Sequence, residues 1–150
     1  VQMMSKIIRQ VENGPDYQTQ LDVSRPKAEA TVSDAISCAI RRISNVLPVA
    51  VLVNYSESGT SSLRAARERP KAPILNLTPN LQTARRLSVA WGIHSVVNDR
   101  LRQVDEVCST ALEIAQAQGM AERGDTLLIT AGVPFGQPGS TNSLRIETLI

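Results

Sequence analysis

Val49-Ala50-Val51-Leu52-Val53, followed at once by Asn54-Tyr55-Ser56-Glu57-Ser58-Gly59-Thr60-Ser61-Ser62 and then by Leu63-Arg64-Ala65-Ala66-Arg67-Glu68, is the stretch that decides the fold. Five consecutive apolar residues rich in valine read as a strand covered on both faces, the pattern of a central strand in a parallel sheet. The hydroxyl-rich turn contains one glycine, and helical composition then runs to Pro70. Strand, turn, helix is the unit from which layered α/β domains are built, and the flanking sequence repeats it.

Toward the C-terminus, Ala72 to Leu77 reads as a second strand, and Asn80 caps a helix with Leu81, Ala84, Leu87 and Ser88 facing inward, closed by Gly92. Ile93 to Val97 is a third strand. Leu101, Val104, Val107, Cys108, Ala111, Leu112 and Ala115 form the stripe of a further helix that ends at Gly119. Thr126 to Thr130 is a fourth strand, and a Gly/Pro-rich loop over 132–142 leads to a last strand at Leu144 to Leu149. That loop leaves no room for a crossover helix, so the last strand should run antiparallel.

Toward the N-terminus, Ser24 can cap a helix with Pro26 in its first turn and Val32, Ile36, Ala39, Ile40, Ile43 and Leu47 as the buried stripe, ended by Pro48. Ahead of it, apolar residues at 1, 4, 7, 8 and 11 make one amphipathic helix that starts without a cap or an initiator Met, as if cut from something longer. Glu12 to Asp16 stops it, and polar residues to Asp22 read as a linker. The expected architecture is a three-layer αβα sandwich with a mostly parallel five-stranded sheet and an antiparallel last strand. Residues 1–22 form a terminal helix plus linker, and residues 23–150 form the domain.

Composition narrows the function. With 150 residues, 42% hydrophobic and 20% charged, the chain can bury a core without disulfide or metal support. No apolar run approaches the roughly 18 residues of a membrane-spanning helix, so no membrane partner is expected. A net charge of +2 is too small and scattered for a nucleic-acid face. Cys38 and Cys108 lack C-x-x-C spacing and fit a reduced setting, and no secretory signal is visible, so the cytoplasm is expected.

Two loops can carry chemistry. At Ser56 to Ser61 the amides and positive dipole end of the following helix converge beside hydroxyls and a glycine that allows close approach, which is a phosphate cradle. Simple helix capping by Ser and Thr is the other reading, and both stand at this stage. Glu57 argues against a highly charged ligand, while Arg64 and Arg67 offset part of its charge. The 132–142 loop, at the end of a parallel strand, forms either an opposite wall of the same site or a plain wide turn. Enzymatic constellations are thin. His94 is the sole histidine, Ser58 lacks the glycine of a G-x-S-x-G elbow, and neither phosphate-binding nor dinucleotide-binding glycine motifs nor a metal-ligand cluster occur. Trp91 reads as helix packing or an interface anchor.

The run Ala72-Pro-Ile-Leu-Asn-Leu-Thr-Pro-Asn-Leu-Gln-Thr-Ala-Arg-Arg86, then Trp91-Gly-Ile93, Gly124-Asp125 and Gly139-Ser-Thr-Asn142, resembles in this order the C-terminal domain of pyruvate kinases. The resemblance covers about residues 23 to 150, and residues 1 to 12 look like the last helix of that family's catalytic barrel. It implies part of an enzyme that transfers phosphate from phosphoenolpyruvate to ADP in a (β/α)₈ barrel with magnesium and often potassium. The domain itself would then have no catalytic residue and no cofactor. Its implied partners are its own barrel, copies of itself in a tetramer, and a phosphorylated allosteric effector.

Ser56, Ser58, Gly59, Thr60 and Ser61 correspond to the family's effector phosphate loop, and Gly132, Pro134, Gly136, Gly139, Ser140 and Thr141 to its effector loop. Members that respond to fructose 1,6-bisphosphate often carry a basic residue where Glu57 stands, and a Trp and an Arg where this chain has Val133, Pro134 and Gln137. The expected ligand is therefore a sugar monophosphate or AMP, as in several bacterial members. The alternatives are a stand-alone phosphometabolite-binding module and a small hydrolase using Ser58 and His94.

Overall fold

The computed structural model describes residues 1–101, 103–135 and 141–149, with Gln18 described in its backbone alone. Its helices are α1 (Gln2–Glu12), α2 (Tyr17–Ser24), α3 (Val32–Val46), α4 (Thr60–Arg67), α5 (Leu81–Leu87) and α6 (Val104–Ala117). Its strands are β1 (Val49–Tyr55), β2 (Ile74–Thr78), β3 (Ile93–Val97), β4 (Thr126–Gly132) and β5 (Thr141–Thr148). They form one sheet in the order β3-β2-β1-β4-β5. β1 runs parallel to β2 and β4, β2 parallel to β3, and β4 antiparallel to β5. The mostly parallel five-stranded sheet and its antiparallel last strand are as expected, because the short β4–β5 connection cannot cross over.

Alternation along β1 builds the layers. Val51, Val53 and Tyr55 face a cluster with Val107, Cys108, Ala111 and Ala115 of α6, while Leu52 faces Ile40 of α3 and Ala65 and Ala66 of α4. Both faces are covered, so Val51, Leu52 and Val53 have no exposed surface. The chain steps from β1 to β2 to β3 on one flank and returns through α6 to β4 on the other. Between the carboxyl ends of β1 and β4 the winding changes direction, the position at which doubly wound sheets open a crevice.

Several expectations need correction. Residues 17–24, expected as linker up to Asp22, include the helix α2. Ser24 ends that helix by bonding back to the Gln20 and Leu21 carbonyls instead of capping the next one. Arg25, ahead of Pro26, is extended at φ −70 and ψ 131, the conformation a following proline enforces. The next helix starts at Val32, and Thr31 caps it by accepting the Asp34 amide at 3.2 Å. Arg25 and Arg41 then bind the buried carboxylate of Glu68 and the Asp22 side chain, which ties this segment to the domain.

The expected stripe of α3 packs at Ile36, Ile40 and Ile43 but not at its two ends. Ser33, Asp34, Ser37, Ile40 and Ser44 are buried, whereas Val32 is 64% and Leu47 37% exposed. Small hydroxyl residues let the helix lie close to β5 and α4; Ser33 donates to the Thr141 carbonyl and Ser37 to the Ser33 carbonyl, while the buried Ser44 hydroxyl has no hydrogen-bond partner among the described residues. In α5, Thr83, Ala84 and Leu87 are buried, while Leu81 and Ser88 face solvent. Asn80 caps that helix as expected, accepting from the Gln82 and Thr83 amides. Gly92, at φ 68, belongs to the turn before β3 and not to the helix end. β4 continues to Gly132 and β5 begins at Thr141, three residues before the expected Leu144. Among the described residues no helix is long and apolar enough to cross a membrane.

Candidate functional site

The turn after β1 lies at that crevice. Ser56 continues the β1 ladder, its amide donating to the Leu77 carbonyl at 3.0 Å, and its buried hydroxyl accepts the Gly59 amide at 3.0 Å. Ser58 and Thr60 share a hydroxyl–hydroxyl bond at 3.0 Å, and the Thr60 amide reaches the Ser58 hydroxyl at 3.4 Å. Part of the capping reading therefore holds. Gly59, however, is the N-cap residue of α4 and has no side-chain oxygen, so the cap residue supplies no acceptor to the first-turn amides.

Glycine is required at position 59. Its φ is +80, and an added Cβ would lie 3.0 Å from Leu87 Cδ1 and 3.1 Å from Thr83 Cγ2. Glu57 does not occupy the amides, whose bonds go to the Ser56 and Ser58 hydroxyls. Its own carbonyl accepts from the Thr83 hydroxyl at 2.9 Å.

The second loop meets the first. The Ser61 hydroxyl bonds the hydroxyl of Thr141, so the first turn of α4 and the first residue of β5 are in direct contact. Gly132 ends β4, and Pro134 follows a cis peptide bond from Val133. The Val133 amide and carbonyl both bond the Asn142 side chain, and Phe135 stacks on Tyr55 with ring centroids 4.6 Å apart. Gly136, Gly139 and Ser140 lie outside the described residues. Ser56, Ser58, Gly59, Thr60, Ser61 and Thr141 are thus brought together.

A polar row supports the site from below. Thr130, Asn54, Asn76 and Ser95 are cross-strand neighbours on β4, β1, β2 and β3. Thr130 donates to Asn54 Oδ1, Asn54 Nδ2 to Ser62 Oγ at 3.3 Å, Ser62 Oγ to Asn76 Oδ1 at 2.8 Å, and Asn76 Nδ2 to Ser95 Oγ at 3.3 Å. Asn54, Asn76 and Ser62 are wholly buried, and each satisfies the others, the condition under which a buried polar network fixes one arrangement. Ser62 thereby pins the first turn of α4 to the sheet.

The charges are distributed differently from the sequence expectation. Arg67 is committed to Asp34 at 2.6 Å and to Glu68 at 3.2 Å. The Glu29 amide first, and then Arg67, hold the Asp34 carboxyl below the usual carboxylate range, while Asp34 and Glu68 raise Arg67 further. Arg86 of α5 reaches the turn, donating to the Ser58 carbonyl. Nothing local in the sequence signals that Thr83 and Arg86 reach this turn. The Ser58 hydroxyl pairs with Thr60, and His94 is exposed on the edge strand β3, so the structure does not assemble a Ser58–His94 pair. Burial raises the Cys108 thiol, which suits a packed and unreactive group. Among the described residues no cluster of three metal-ligating side chains occurs.

Comparison with known proteins agrees with this architecture. The family model described as "Pyruvate kinase, alpha/beta domain" matches residues 34–147. A pyruvate kinase of Methylorubrum extorquens is 42% identical over 143 residues, 95% of this chain and 30% of the relative. One from Agrobacterium vitis is 35% identical over 97% of the chain and 31% of the relative, and one from Geobacillus stearothermophilus is 32% identical over 99% and 25%. The chain thus spans between a quarter and a third of the length of these relatives.

Proposed function

Because the chain belongs to the pyruvate kinase α/β-domain family, we propose that it is the regulatory and assembly unit of a pyruvate kinase and that its crevice holds a phosphorylated effector. The observation that supports the binding reading is the apposition of Ser61 and Thr141 at a helix start where serine hydroxyls, and not a carboxylate, take the Gly59 and Thr60 amides. A phosphate there would exchange intramolecular hydroxyl bonds for charge-assisted ones, and the α4 dipole would favour its charge. Arg86 adjoins the turn while Arg67 is engaged by Asp34, and the turn itself carries the acid Glu57. That balance favours a monophosphate, such as a sugar monophosphate or AMP, over a bisphosphate.

On this reading the chain alone does not catalyse. Transfer of phosphate from phosphoenolpyruvate to ADP, with its magnesium and potassium, belongs to a barrel that packs on α1, whose Met4, Ile7, Ile8 and Val11 are exposed. The enzyme would act in the cytoplasm as a homo-oligomer. Calorimetric titration with ribose 5-phosphate, AMP, glucose 6-phosphate and fructose 1,6-bisphosphate tests the binding. Heat with a monophosphate is expected, and no heat with any of the four leaves assembly as the sole role.

A further inference from the structure

Trp91, the sole tryptophan, stands where three segments meet. Its indole Nε1 donates to Glu12 Oε1, at the last residue of α1, at 2.6 Å. On the ring lies the guanidinium of Arg69, 4.5 Å from the centroid, a cation–π arrangement. Arg69 takes a left-handed backbone at φ 49, a conformation that a residue with a side chain keeps only where its surroundings hold it. Trp91 also separates two clefts. One, of 460 Å³, lies toward Gly14, Tyr17 and Lys71, and the other, of 520 Å³, toward Met4, Ile8 and Gly92. Since α1 buries none of its residues, this bond is a direct polar tie between α1 and the α/β domain.

The same indole is tied to the candidate turn. Trp91 follows the end of α5 at Leu87 by one short turn, and α5 holds the turn from the other side: Thr83 donates to the Glu57 carbonyl at 2.9 Å and Arg86 to the Ser58 carbonyl. One short helix therefore grips the turn and carries the residue that grips α1. We propose that Trp91 is a latch between α1 and the α/β domain, and that α5 makes this latch sensitive to the backbone of the Glu57–Ser58 turn. Only the identity of what moves the turn rests on the binding reading above.

The emission of Trp91 and the hydrogen exchange of α1 amides, read on the whole chain, test this. Glu12→Ala should shift the emission to the red and speed α1 exchange about tenfold, the loss expected of one hydrogen bond to a charged group. Glu12→Gln, which keeps an acceptor, should restore most of both. Arg69→Asn, which tolerates the left-handed backbone, should move both readouts less and in the same direction. Thr83→Val, which frees the Glu57 carbonyl without touching the indole, should shift the emission part of the way. Unchanged protection of β1 amides identifies variants that are still folded. Unaltered emission and exchange in Glu12→Ala overturn the latch, and unaltered emission in a folded Thr83→Val chain overturns its link to the turn. Failure of phosphate to bind would remove the ligand and leave both results as they are.

Discussion

The wholly buried carboxylate of Asp34 meets the guanidinium of Arg67 at 2.6 Å and accepts the Glu29 amide at 2.7 Å, so α3, α4 and the segment before α3 are joined at one acid. The folded state lowers the Asp34 pKa below 3.8, through the Glu29 amide first and Arg67 next. A lowered pKa means that the unfolded chain binds the proton more tightly, so this stabilisation is fully present above the unfolded value and is lost as pH falls through the folded one. Acid unfolding followed by circular dichroism should therefore show a steeper stability loss below about pH 4 in the parent than in Asp34→Asn. The variant should also be less stable near neutrality by about 1 to 2 kcal/mol, since Arg67 loses one charged partner but keeps Glu68 and is partly exposed to solvent. Equal acid slopes would remove Asp34 from the linkage.

Gly59→Ala places a methyl group against Leu87 and Thr83 at a left-handed φ of +80. The expected cost is about 1 to 3 kcal/mol, read from denaturant midpoints. Chemical-shift changes should centre on α5 as well as on the turn, because the clash is with that helix.

Ser62→Ala removes the hydroxyl that links Asn54 to Asn76 and leaves an amide donor and an amide oxygen buried without it. A loss of about 1 to 3 kcal/mol follows from unsatisfied buried polar groups. Ser62→Thr keeps the hydroxyl and should cost less. Thermal unfolding of both variants, compared with the parent, checks the order.

Thr60→Glu adds a second acid beside Glu57 at the start of α4. A phosphate ligand should bind more weakly by about fivefold or more in calorimetry, given the usual size of charge effects at a helix terminus. Since Glu in the first turn is itself favourable to a helix, the melting temperature should hold. Unchanged affinity would take the turn out of the site.

The parts of the fold legible in the sequence were those specified by local chemistry. The valine run of β1 identified a strand covered on both faces, Asn80 identified the α5 start, and the short β4–β5 connection identified the antiparallel strand. Where two local rules compete, the reading went astray. Ser24 and Pro26 look like a helix start, yet Ser24 serves the helix before it and Pro26 holds Arg25 extended. In α3 apolar periodicity finds Ile36, Ile40 and Ile43, which pack inward, but it also selects the exposed Val32 and Leu47 and misses the buried serines. The candidate turn was visible as a cluster of hydroxyls. Its ties to Thr83 and Arg86 were not, because those residues lie 26 and 28 positions along the chain and only the α5 packing brings them near.

The eleven residues of α1 bury no side chain, and isolated helices below roughly 12 to 15 residues are marginal in water. Beyond the bond at Glu12, the packing of α1 on the domain therefore contributes little to its order, and Met4, Ile8 and Val11 stay exposed. Its helicity is then a conditional property: an amphipathic segment of this length frays when its apolar stripe is uncovered and stiffens when that stripe is covered.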